Sequence, residues 1–196
     1  MDAWLDAALA WDGARLEVVD FPPGSIVSAR ESVMILGLSL STYTIIHVII
    51  SLIAIATGFI AVIEMIANKP LGIWNTVFLW TTIATSVTGF FFPFTGVTPG
   101  IIVGIISLVF LAVALYALYV QHLGGAWRWV YVVTAIIALW FNVFVLIVQS
   151  FQKISALKTL APTQSEPPFQ IAQGAALVLF VVLAILAVRK FRPVAA

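Results

Sequence analysis

Five long apolar runs dominate the chain, each closed by breakers or charges. The first covers residues 43–67 and stops at "NKP", where Lys69 and Pro70 close it. The second covers 71–92 and runs into the breaker-rich "FPFTGVTPG". A third spans 99–122, with Pro99 at a favoured helix-start position and a "GG" pair at its end. The fourth extends over 126–152, and the fifth over 169–188 ahead of "RKFRP". Each is about as long as the ~20 residues a helix needs to cross a bilayer core. None alternates apolar and polar positions over about ten residues, as a transmembrane strand would. The pattern predicts an all-α transmembrane helical bundle of about five spans, occupying residues 43–190.

Residues 1–42 read as a separate N-terminal segment. Trp4, Leu5, Ala8 and Leu9 fall on one side of a short helix, with Asp2, Asp6 and Asp12 opposite. That is the pattern of a small interfacial helix, although such helices are more commonly basic. "FPPG" then breaks it. Residues 33–42 are too apolar for a free tail. They either lengthen the first span or lie along the membrane surface before it, and the second arrangement is the expectation. Residues 191–196 form a basic C-terminal tail.

Five spans put the two chain ends on opposite faces. Arg30, Lys153 and Lys158 flank spans on the N-terminal face, against Lys69, Arg128, Arg189, Lys190 and Arg192 on the other. Cytoplasmic flanks carry the excess of Lys and Arg, so the N-terminus is expected outside and the C-terminus in the cytoplasm. Proline has the opposite bias. Pro22, Pro23, Pro93, Pro99, Pro162, Pro167 and Pro168 belong to outer connections, leaving Pro70 and Pro193 on the inner face. Proline restricts the backbone and lowers the entropy lost on ordering. A proline-rich extracytoplasmic cap is therefore expected from "FPPG", "FPFTGVTP" and "LAPTQSEPPF".

Composition agrees and excludes several chemistries. Apolar residues make up 63% of the 196 and charged residues 9%, against roughly 45–50% and about 25% in soluble domains. There is no cysteine, which removes disulfides, iron–sulfur clusters and thiolate catalysis. A net charge of +1 makes no electrostatic case for nucleic acid. The acidic start lacks a basic n-region and does not read as a cleaved signal.

Ionisable residues inside apolar spans are expensive and become candidate sites. His47 and Glu64 share the first span but lie seventeen residues apart, about 25 Å along a helix, so they cannot touch. Glu64, near the inner end, has Asn75 and Arg128 as candidate partners. His47, near the outer end, has Ser51 one turn on, and Thr81, Thr85 and Thr88 make a hydroxyl stripe along the second span. Depth lets His47, Thr88 and Gln149 of the fourth span converge, with Asn142 and Thr85 deeper. These residues describe either a polar cavity or the hydroxyl-lined seams of close helix packing. A b-type haem would need two histidines at one depth. His47 and His122 fall at opposite ends of the bundle, so only a pair of His47 residues from two subunits could hold haem b. No metal site is expected.

Seven tryptophans include Trp74, Trp127 and Trp129 at inner head-group level, an aromatic belt. Five spans with many tryptophans invite comparison with the tryptophan-rich sensory translocators, but that family's first-loop motifs do not match. The stretches "TTIATSVTGFFFPF", "GAWRWVYVVTA", "FNVFVLIVQSF" and "LAPTQSEPPF" resemble those of small multi-pass bacterial inner-membrane proteins of unassigned function, over roughly residues 43–190. The resemblance implies a bacterial inner membrane and assigns no residue a role. There is no H-E-x-x-H, paired intramembrane carboxylate, phosphate loop or nucleophile with a nearby base. The expectation is a non-enzymatic accessory subunit, or a binding protein for an apolar ligand, a lipid or a larger membrane complex. Its partners would be the bilayer and a membrane protein or a second copy. A small transporter or channel built on the polar residues and Glu64 is the alternative, and an intersubunit haem protein the second.

Overall fold

A computed structural model of the chain describes residues 34–93, 96 and 99–192. The expected interfacial helix and "FPPG" lie outside the described residues, as does part of "FPFTGVTPG". The chain divides between Ser41 and Thr42 into two compact units. In the first, β1 (Met34–Ile35) and β2 (Leu38–Ser39) pair antiparallel, Met34 opposite Ser39 and Ile35 opposite Leu38. Leu36 and Gly37, with φ of 52° and 80°, form the two-residue turn. Positive φ at both positions is the hairpin geometry that matches strand twist, and it suits Gly37 better than Leu36. Of that apolar stretch, residues 34–39 therefore fold on themselves rather than lengthen the first helix, and α1 (Leu40–Ile66) begins after them.

The remaining helices are α2 (Ile73–Gly89), α3 (Pro99–Leu115), α4 (Trp127–Lys153), α5 (Ser155–Leu160) and α6 (Pro167–Lys190). Their ends follow from local chemistry. At the end of α1, Asn68 takes a left-handed φ of 54°. The Lys69 N–H then bonds to Glu64 O at 2.9 Å and the Asn68 N–H to Met65 O at 3.0 Å, closing the free carbonyls before Pro70. Beyond α3 the chain widens into a π-helical turn at Tyr116–Val120. There the Gln121 N–H reaches Tyr116 O at 3.0 Å, and left-handed His122 and Leu123 reverse the chain. Pro167 and Pro168 open α6, where their missing donors cost nothing.

Helix α4 is the hub and packs against α2, α3 and α6. Its Tyr131, Val132, Ala135, Ile136, Ala138 and Leu139 are buried in one continuous core. Helix α1 joins through a smooth strip in which Ala54, Gly58, Ala61 and Met65 are buried. Small residues let helix backbones approach when lipid supplies no hydrophobic drive between them.

Four helical stretches are long and apolar enough to cross a membrane: Leu40–Ile66, Gly100–Val120, Trp127–Lys153 and Pro167–Lys190. Helix α2, at 17 residues, is shorter. Side chains such as Ile45, Ile63, Val109, Ile171 and Val178 point outward from these helices. Polar solvent would not favour that surface, whereas lipid does. The protein is a membrane-embedded helical bundle.

Two sets of contacts mark its ends. At one, Asn68 Oδ1 after α1 accepts from the Arg192 N–H after α6 at 2.7 Å. At the other, Tyr43 at the start of α1 meets Thr88 at the end of α2. There too Phe151 of α4 packs edge-on to Phe169 of α6, ring centres 5.4 Å apart.

Candidate functional site

The polar side chains singled out in the sequence do not form one pocket. They lie in three layers along the bundle. The layer at the start of α1 is the most connected. His47 Nδ1 lies 2.8 Å from Thr88 Oγ1, and the Tyr43 hydroxyl donates to Thr88 O at 2.7 Å. Phe92 stands edge-on to both rings, with centres 5.1 Å from each. The Thr88 hydroxyl also contacts Ala84 O at 2.7 Å and spends its one proton there. With that proton committed, the hydroxyl oxygen keeps lone pairs with which to accept from an Nδ1–H of His47. Ser51 lies one turn away, but its hydroxyl donates to His47 O at 2.7 Å within the same helix.

In the middle layer, Asn142 Nδ2 of α4 donates to Thr82 Oγ1 of α2 at 3.2 Å, with Thr82 fully buried. Ser86 of α2 and Ser107 of α3 approach at 3.5 Å. Thr81 turns back to Val77 O at 2.6 Å. Thr85 keeps a buried hydroxyl with no hydrogen-bond partner.

In the third layer, the Tyr131 hydroxyl of α4 donates to Asn75 Oδ1 of α2, and both side chains are buried. Arg128 Nη1 donates to Val188 O at 3.0 Å and also to Phe191 O. It thus satisfies carbonyls that the end of α6 leaves open and complements the helix dipole.

Two expected groupings are corrected. Neither Asn75 nor Arg128 reaches Glu64, because each has a nearer partner on another helix. Glu64 Oε2 is buried without a hydrogen bond. Gln149 shares a depth with His47 and Thr88 but lies exposed on α4. Depth places a residue along the axis, whereas the rotation of α4 decides which seam it faces.

Sequence reasoning passed over Tyr43, Thr82 as a partner of Asn142, Tyr131 and the glutamines of the α4–α6 seam. Gln173 Nε2 donates to Phe144 O at 3.2 Å and Gln164 Nε2 to Val148 O at 2.9 Å. Tyr43 had a legible signal, four residues before His47 on one helix face. The glutamines had none, since a backbone carbonyl as acceptor leaves no mark in the sequence.

The connection between α4 and α6 is ordered by its own side chains. Glu166 accepts from the Thr163 N–H at 3.1 Å, the Thr163 hydroxyl at 2.9 Å and the Ser165 N–H at 3.1 Å. Desolvation, the largest single influence, pushes the carboxyl pKa up, but the hydrogen bonds together outweigh it and hold the group below the usual carboxylate value.

Among the described residues no three His, Cys, Asp or Glu side chains converge as metal ligands. His122 sits at the turn after α3, at the opposite end of the bundle from His47. No family model, curated protein or solved structure matches the chain.

Proposed function

We propose that the chain is a non-enzymatic subunit of a bacterial inner membrane, an accessory or binding protein for a lipid, an apolar ligand or a larger membrane complex. One observation carries this reading: polar side chains from different helices are committed to one another across the seams, as in His47–Thr88, Asn142–Thr82 and Asn75–Tyr131. Such closed pairs specify packing and leave little for a substrate. The contact surface is instead outside, where α6 is the least covered long helix, with 17% of its apolar window buried. Purification in mild detergent followed by cross-linking and mass spectrometry tests the proposal. A reproducible membrane-protein partner or bound lipid is the expected result. A protein that is always alone and lipid-free overturns it.

The same proposal counts α2 as a fifth crossing, since 17 residues reach the lower limit of about 17 for a spanning helix. The N-terminus is then outside and the C-terminus cytoplasmic. Because the chain has no cysteine, single cysteines at Gly72 and Thr163 can be labelled with an impermeant reagent. Labelling of both from the same side removes the five-span topology.

A second reading, transport, is favoured by one observation: Glu64 Oε2 and Thr85 Oγ1 are buried without partners. Proton or cation flux in liposomes that is abolished by Glu64→Gln supports it, and flux unchanged by that substitution excludes it.

A further inference from the structure

The seam between α4 and α6 is recessed near the Arg128 end. A groove of about 340 Å³ opens there, lined by Val133 of α4 and by Ala184, Ile185, Val188 and Arg189 of α6. Its walls are aliphatic and its one charged lining residue is Arg189, the penultimate residue of α6. We propose that this groove seats one anionic phospholipid, with an acyl chain along Val133, Ile185 and Val188 and the phosphate at Arg189. The inference rests on the binding-protein reading above and names the ligand class.

Three observations converge on that occupant. First, the order of chemistry along the groove is that of a lipid. Ala184 and Ile185 lie more than a turn deeper than Arg189, so apolar walls end in a cation at the helix terminus, where the hydrocarbon core gives way to head groups. Second, Trp129 lies four residues before Val133 on the same face of α4 and is 48% exposed. An indole at that level suits the interface between chain and head group. Third, the charge at this end is unbalanced. Lys69, Arg128, Arg189, Lys190 and Arg192 gather there, and Glu64 is the single carboxylate among the described residues at that end. Arg128 is already committed to Val188 O and Phe191 O, whereas Arg189 is exposed and ready to meet a phosphate. A zwitterionic lipid would fill the groove equally well but would gain less from this excess of positive charge.

The experiment uses the full chain in mild detergent, delipidated on a column and titrated with phosphatidylglycerol or phosphatidylcholine. Binding is read by native mass spectrometry and by the shift in Tm. The expected result is preferential retention of phosphatidylglycerol. Arg189→Gln should weaken that retention about fivefold, the effect of about one basic residue near an anionic lipid surface. Ile185→Trp, a change at an exposed position that fills the groove, should abolish it while the elution profile stays monodisperse. Lys190→Gln, beside the groove, should retain the preference. Equal binding of the two lipids overturns the proposal. So does an equal loss in the Arg189 and Lys190 variants, which would mean diffuse surface attraction. Failure here with a protein partner still found by cross-linking would sink the lipid site and spare the accessory-subunit reading.

Discussion

His47 and Thr88 are 41 positions apart in sequence and 2.8 Å apart in space, imidazole Nδ1 to hydroxyl, joining the start of α1 to the end of α2. Because Thr88 also donates to Ala84 O, the pair is asymmetric. Thr88 keeps a partner without His47, while His47 Nδ1 loses its hydrogen-bond partner without Thr88. Thr88→Val is therefore expected to destabilise more than the change made in a His47→Leu background. The coupling should be about 0.6 kcal/mol and at most about 1.7, the range found for side-chain bonds between membrane helices. A double-mutant cycle of unfolding in mixed micelles measures it, and zero coupling would mean the contact carries no energy.

At Gly58, α1 packs against side chains of α4 and α2 with no space for a Cβ. A Cβ there would lie 2.5 Å from Leu139 Cδ1 and 2.8 Å from Phe78 Cδ2. Both neighbours are buried, with Leu139 at 0% and Phe78 at 1% exposure, so neither has room to move away. Gly58→Ala should cost about 1–3 kcal/mol through overpacking. Gly174 of α6, which has no atom within 4 Å of its built Cβ, should accept alanine at no cost. Thermal unfolding of the two variants in one detergent gives the comparison.

Arg128 holds the end of α6 from the start of α4. Removing it in Arg128→Met leaves the Val188 and Phe191 carbonyls without their charged donor. The expected loss is about 1.5–3 kcal/mol, typical of a hydrogen bond to a charged group. Lysine should recover part of it, because an ammonium lacks the planar fork. Hydrogen exchange localises the effect: amides from Ala187 to Arg192 should lose protection first.

Glu166 makes the connection before α6 sensitive to acid. Its pKa lies below the usual carboxylate value in the folded chain. The stabilisation it provides is then complete above the unfolded carboxyl pKa and fades as pH falls through the lower folded value. Proteolysis between Ala161 and Glu166 should accelerate only on that acid limb. In Glu166→Gln it should be faster at neutral pH and flat across the same range.

Much of this architecture was legible before any coordinates. Uninterrupted apolar length, Pro70, Pro99 and the Pro167–Pro168 pair, and the separation of His47 from Glu64 are properties of one dimension, and a helix converts sequence distance into depth at a constant rise. For that reason the long apolar helices could be anticipated, and depth alone put Thr88 within reach of His47. The hairpin at Met34–Ser39 could not be anticipated from hydropathy alone, since an apolar run of that length reads equally as helix extension or surface segment.

What the tertiary structure alone decided is rotation. The helix faces of α2 and α4 determine that Asn75 meets Tyr131, that Arg128 turns to the end of α6, and that Glu64 is left without either. Apolar helices in lipid carry little sequence signal for which side faces a neighbour, because lipid and protein interior are similarly apolar. Depth is written along the chain; azimuth emerges only when the helices pack.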